Sequence, residues 1–246
     1  TGTIRLGEAR LRLGGIGWLT TSPRHRHKGI GRALLSDTLA YLRDQNYHVS
    51  MLFGVPNFYR RFGFESVLGE HAWEFPAESA PTGREDFRVR GGKPGDISAV
   101  IKIHDQNDVP VACSLIRSTA HITNRWEQWK ELRVVTDKSG RVLGYFVPAP
   151  PGIGANIIEA GAASPDSCAF ILAACAQEAR ERLATHVRVL GPPTDGFATM
   201  AKALLGGDAP RTEHSPGGMM SFVNLPEALE STIPEWESRL LATALR

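Results

Sequence analysis

The sequence of 246 residues is short of cysteine, with only Cys113, Cys168 and Cys175. An odd number without a C-x-x-C pair argues against a disulfide framework. No histidine stands beside them at metal-ligand spacing either, so reduced, buried thiols are expected. Long apolar runs are equally scarce. The longest, Cys168 to Ala176, is far below the roughly 20 residues of a membrane-spanning helix, and no charged, apolar, small-residue leader opens the chain. A soluble, cytoplasmic protein with no membrane partner is expected. Net charge is small as well: a formal +2, with the basic residues gathered at one loop. Nucleic acid calls for a broad basic face with interleaved aromatics, so no nucleic-acid partner is expected. The chain begins at Thr1 inside a strand-like segment, which reads as a fragment or a processed product.

A hydrophobic content of 42% with 22% charged residues is ordinary for a globular chain with a sizeable core. Residues 3–8 and 10–20 alternate like two strands, with Gly14-Gly15 placed as a bulge would be. Ile30, Leu34, Leu35, Thr38, Leu39 and Leu42 then recur at helical spacing, and His48 to Phe53 is a further short strand. Strand, glycine loop, helix and strand make a parallel unit. Residues 72–85 lose periodicity and collect Pro76, Pro81 and Gly83, the composition of a connection.

Beyond it, Phe87–Arg90 reads as a strand and Pro94-Gly95-Asp96 as a cap, with Asp96 at its end. Residues 112–131 are expected to be helical. Lys138-Ser139-Gly140 turns a hairpin, Ile153–Ala160 reads as its third strand, and Pro165–Leu183 is a long helix. The division is therefore 1–75, a linker at 76–85, a second α/β domain at 86–224, and an amphipathic helix at 225–246 whose stripe of Leu229, Ile233, Trp236, Leu240, Leu241 and Leu245 needs a partner surface.

The stretch from Trp18 to Leu35 carries the chemistry. Glycines at 29 and 31 let a ligand approach the backbone, and the helix opening there directs free N–H groups and the positive end of its dipole outward. With Arg24, His25, Arg26, His27, Lys28 and Arg32 around it, this is an anion site suited to a pyrophosphate. His25 and His27 have no third ligand near in sequence and sit among cations, so no metal is expected.

Arg26-His27-Lys28-Gly29-Ile30-Gly31, taken with Tyr59-Arg60-Arg61-Phe62-Gly63-Phe64, resembles the GNAT superfamily of N-acetyltransferases. The run Leu52 to Glu65 is most similar to the enhanced-intracellular-survival (Eis) type. The resemblance implies a mixed sheet with splayed parallel strands, followed by a second, degenerate GNAT-like domain. It also implies acetyl-coenzyme A as donor, held at Arg26, His27, Lys28, Gly29, Ile30 and Gly31, along Trp18, Leu19 and Thr20, and across the cleft at Gly54 and Val55. Tyr59 would protonate the departing thiolate, and the acceptor would be an amine on a small molecule or a protein.

By the same resemblance, this sequence lacks the first GNAT elements and a C-terminal sterol-carrier-like domain. A homo-oligomer or a partner chain could complete the acceptor site. No Asp or Glu occurs from Arg10 to Thr21, where many GNATs carry a base, so no base is assigned. Residues 160–165 have no basic side chain, which makes the second domain a scaffold rather than a second donor site. The alternative expectation is a non-catalytic acyl-coenzyme A sensor or assembly module.

Overall fold

The computed structural model describes residues 1–54, 56–82, 86–124, 129–150, 156–206 and 211–243. In chain order the elements are β1 (Gly2–Leu6), β2 (Ala9–Ile16), α1 (Ile30–Asp44), β3 (Val49–Phe53), α2 (Pro56–Tyr59), β4 (Glu65–Pro76), β5 (Arg88–Gly91), α3 (Ile97–Asn107), β6 (Ser114–Ile116), α4 (Thr119–Thr123), β7 (Arg133–Thr136), β8 (Val142–Pro148), β9 (Asn156–Ala162), α5 (Pro165–Glu181), β10 (His186–Leu190), α6 (Gly196–Leu205), β11 (Arg211–Phe222) and α7 (Leu225–Ala242). They form two compact units that are discontinuous in sequence. The first comprises Thr1–Gly69, Ala112–Ile116 and Ser215–Arg246; the second comprises Glu70–Val111 and Arg117–His214.

In the first unit the strands run β11-β3-β2-β1-β6, with β2 and β3 parallel and the other pairs antiparallel. Gly14-Gly15 is not a bulge: the register Leu13↔Val49 to Ile16↔Leu52 passes through it unbroken. Gly14 lacks a side chain because Leu42 of α1 occupies the place, and a Cβ there would lie 2.5 Å from it. Ser50, fully buried beside it, donates to Gly14 O at 2.9 Å. Of the expected inner face of α1, Leu35 and Leu42 are buried, whereas Ile30 and Leu34 face solvent.

One face of this sheet packs Ile4, Leu11, Leu13 and Val49 against Ala228 of α7; the other packs Leu52, Phe64 and Met219 against Leu35 and Tyr59. Each large side chain removed from water in this way contributes about 1.5–3 kcal/mol. α7 is fastened by Glu235, whose carboxylate accepts the Glu8 N–H at 2.7 Å and pairs with Arg239. Its stripe of Leu229, Ile233, Trp236, Leu240 and Leu241 is exposed, and Leu245 lies outside the described residues.

In the second unit the order is β5-β7-β8-β9-β10-β4, with only β9 and β10 parallel. Residues 72–76, expected in a connection, belong to β4 and pair with β10, which buries Trp73 and Phe75. The helix expected over 112–131 is replaced by β6 and α4, and residues 125–128 lie outside the described residues. Asp96 stands at the N-cap position of α3, but its side chain makes no capping bond there. Its carboxylate instead holds Arg90 at 2.7 and 2.8 Å and the Lys93 N–H at 2.9 Å, and the Arg90 hydrogen bond keeps it below the usual carboxylate range. The Lys138-Ser139-Gly140 turn forms around Asp137, which accepts from the Ser139 and Arg141 amides, with Gly140 at φ +85°.

Candidate active site

The pairing of β2 with β3 stops at Ile16↔Leu52. Beyond it the chain from Gly17 to Thr21 leaves the sheet, and its N–H groups donate to no described residue. The loop then folds on itself through His25 N–H to Ser22 O at 2.9 Å and Arg26 Nε to Thr21 O at 3.4 Å. Trp18 at φ +58° and His27 at φ +63° hold left-handed conformations that bulky side chains rarely adopt. Two such residues in one loop store strain where strain is often functional.

Gly29 enters α1 at φ +76° with no side-chain cap. The first bond reaching back from the helix is Ala33 N–H to Gly29 O at 3.0 Å, so the amides of Ile30, Gly31 and Arg32 donate to no described residue. No acidic residue lies in the first turn. Arg24, His25, Arg26, His27, Lys28 and Arg32 are all exposed around this end, and none is ion-paired with a described residue. Open amides, the positive helix end and unneutralised cations together can hold an anion such as a phosphate.

This loop adjoins the tyrosine end of the cleft. A Cβ on Gly31 would meet Thr21 Oγ1 at 3.5 Å and Phe58 Cζ at 3.9 Å. Leu19 and Phe58 pack on the apolar cluster that contains Tyr59. Tyr59 is 8% exposed. Its ring meets Phe58 edge-on at 4.9 Å and Phe64 edge-on at 6.1 Å. Its hydroxyl bonds to no described residue, yet it is not a sealed, unpartnered atom either, so it can serve a ligand.

Leu19, Gly31, Gly54 and Tyr59 are thus brought together, and Arg26 to Ile30 form the adjoining loop. Thr20 lies on the open edge and is exposed. Trp18 stands apart, 99% exposed, and Val55 lies outside the described residues. Thr21 and Phe58 were not singled out from the sequence. Their signal was only adjacency to Thr20 and Tyr59.

The corresponding place in the second unit is built otherwise. β9 pairs with β10 only at Asn156 and Ile157. At its far end the Asn107 carboxamide takes both backbone groups of Ala162, donating to its carbonyl at 2.9 Å and accepting its N–H at 2.8 Å. A buried polar group stands behind this: Glu159 accepts from Arg117 at 2.5 Å and from the Tyr145 hydroxyl at 2.6 Å. Burial opposes ionisation of Glu159, but Arg117 outweighs it and holds the carboxyl below its ordinary range. Asp195, which caps α6 by accepting from Ala198 N–H at 2.6 Å, feels only the weaker charge of Lys202; burial, with the Asp108 and Glu159 charges adding, raises it to about 7.

Cys113, Cys168 and Cys175 are free thiols, and burial pushes Cys168 up to about 12. Among the described residues no group of three His, Cys, Asp or Glu could hold a metal ion, and no helix is long and apolar enough to cross a membrane.

Residues 2–67 match the family described as "Acetyltransferase (GNAT) domain". No curated protein is significantly similar in sequence. Among solved structures, the chain is similar to a probable N-acyltransferase from Enterococcus faecalis (16% identity, 94% of this chain and 59% of that one, TM-score 0.73). It is similar to a GCN5-related N-acetyltransferase from Anabaena variabilis (18% identity, 94% and 60%, TM-score 0.73) and to Eis1 from Mycobacterium abscessus (16% identity, 94% and 62%, TM-score 0.64). The chain therefore spans about three fifths of the length of these proteins, and at such identities the likeness establishes the fold.

Proposed function

Because this chain carries a GNAT acetyltransferase domain on the fold of Eis-like N-acetyltransferases, we propose that it transfers an acetyl group from acetyl-coenzyme A to a primary amine. The observation carrying this reading is the row of amides at Ile30, Gly31 and Arg32 that donate to no described residue, set among cations that pair with no described residue and adjoining the cluster that presents the Tyr59 hydroxyl. The pyrophosphate lies on the amides and Arg26, and the pantetheine arm pairs with the free edge at Leu19 and Thr20.

A neutral amine then attacks the thioester carbonyl. The C–N bond forms, the C–S bond breaks, and the thiolate leaves with the Tyr59 proton; the attacking nitrogen gives up its own proton to solvent, and solvent returns one to Tyr59. A backbone N–H near Leu19 faces the developing oxyanion.

Calorimetric titration with coenzyme A, followed by thiol release from acetyl-coenzyme A in the presence of poly-lysine, a polyamine or an aminoglycoside, tests the reading. Saturable binding with amine-dependent thiol release supports transfer. Binding without release from any amine returns the non-catalytic acyl-coenzyme A module, and no binding rejects both.

A further inference from the structure

Gly54 lies where β3 gives way to α2, with its open side toward the Cε2 edge of the Tyr59 ring. A Cβ built on it would stand 2.3 Å from Tyr59 Cε2, 3.1 Å from Cδ2 and 3.2 Å from Cζ. Contacts below 3.0 Å are not tolerated, so either the backbone or the ring must move.

The ring has little freedom to do so cheaply. Phe58 closes one side at 4.9 Å and 87°, the fully buried Phe64 another at 6.1 Å, and Leu35, Leu52 and Met219 complete the cluster. Close-packed interiors yield to such intrusions by rotating side chains off their rotamers. The other glycines near the cleft differ: a Cβ on Gly15, Gly17 or Gly29 would meet nothing within 4 Å.

We infer that Gly54 is a positioning residue, and that the absence of a side chain there sets where the Tyr59 hydroxyl stands. The inference rests on Tyr59 being the proton donor only for its effect on rate; the geometric claim is independent. A shift of about 1 Å in a catalytic group costs on the order of 10–100-fold in rate.

The test is Gly54→Ala. The chain has four tyrosines, Tyr41, Tyr47, Tyr59 and Tyr145. Labelling with 3-fluorotyrosine gives each a fluorine resonance, and that of Tyr59 is assigned by its loss in Tyr59→Phe. In Gly54→Ala the Tyr59 resonance moves while those of Tyr41 and Tyr47 stay; an unmoved Tyr59 resonance overturns the proposal.

In thiol release, Gly54→Ala lowers kcat about 10–100-fold, and it adds no further loss on top of Tyr59→Phe. Full additivity also overturns it. Full turnover in Tyr59→Phe would instead sink the proton-donor reading and leave the resonance shift to decide on Gly54.

Should Gly54→Ala fail to fold, the double variant Gly54→Ala with Tyr59→Leu removes the ring atoms that clash. Its melting temperature then returns to that of Tyr59→Leu alone; no recovery overturns the inference.

Discussion

Each unit ends a parallel strand pair early, β2 against β3 in the first and β9 against β10 in the second, and the two openings are finished in opposite ways. In the first, Gly17 to Gly29 form a long basic loop, the N–H groups beyond Ile16 donate to no described residue, and α1 opens without a side-chain cap. In the second, only Ala163 and Ser164 separate β9 from α5. Ser164 Oγ accepts the Ser167 N–H at 3.3 Å, Ser167 Oγ accepts the Ser164 N–H at 3.0 Å, and Asp166 sits in the first turn. The amide edge of β9 is taken by Asn107. A helix that satisfies its own first amides and carries a carboxylate there is stable by itself and unattractive to an anion. The same strand and helix order thus yields a receptive end in one unit and a self-completed end in the other.

If that contrast is functional, the largest effect belongs to the open side. Tyr59→Phe removes the hydroxyl and its transferable proton while keeping the ring among Phe58 and Phe64. Turnover is expected to fall on the order of 10²-fold with coenzyme A affinity unchanged. Steady-state thiol release with calorimetry alongside measures both; equal activity would remove Tyr59 from the chemistry. On the closed side, Asn107→Ala leaves the Ala162 N–H and carbonyl buried without partners, which costs about 3 kcal/mol of unfolding free energy. Urea denaturation reads this loss. Coenzyme A stoichiometry should stay at one per chain, and a second equivalent would show that the closed cleft is a latent donor site.

The closed side also has a pH signature. Asp195 is raised to about 7 by burial and by the Asp108 and Glu159 charges, whereas in the unfolded chain it titrates near its ordinary value of 3.8. Between those values the folded state holds a proton that the unfolded state has released. Stability therefore falls as pH rises from about 4 to 7, and the penalty is complete above 7. Asp195→Asn keeps an acceptor for the Ala198 N–H and carries no titrating proton. It should match the wild type near pH 4 and exceed it by roughly 2 kcal/mol at pH 8, allowing for the partial exposure of the site. A difference independent of pH would show that Asp195 does not titrate in this range.

The open side was the more legible of the two because its signals are local. Glycines at 29 and 31 with the basic run, and the spacing of Tyr59 to Gly63-Phe64, are two short local patterns, and residues 2–67 are the part that the GNAT family matches. The closed side depends on long-range pairing. Asn107 reads as the end of an apolar helix, and nothing near it announces Ala162, 55 residues later, as its partner. β4 was missed because Glu65–Pro76 shows no clean alternation; its strand character comes from pairing with β10. β6 was hidden in a helical pattern for the same reason, since Ser114–Ile116 is extended by pairing with β1. The free stripe of α7 was visible in the sequence. Its buried side, Ala228, Thr232 and Glu235, was not, because two of those residues are polar.

The smallest expected effect separates the loop's charge from its backbone. Arg26 is exposed, and its side chain makes a 3.4 Å bond to Thr21 O, so its pairing with a phosphate is screened by water and salt. Arg26→Ala should weaken coenzyme A by about 5–10-fold, on the order of 1 kcal/mol, and the loss should shrink as ionic strength rises. The amides of Ile30, Gly31 and Arg32 remain in place in this variant, so binding persists. Calorimetry at 50 mM and 500 mM salt distinguishes the contributions. Unchanged affinity at low salt would mean that Arg26 does not reach the anion. Abolished binding would mean that the open amides, which set this unit apart from the other, contribute little.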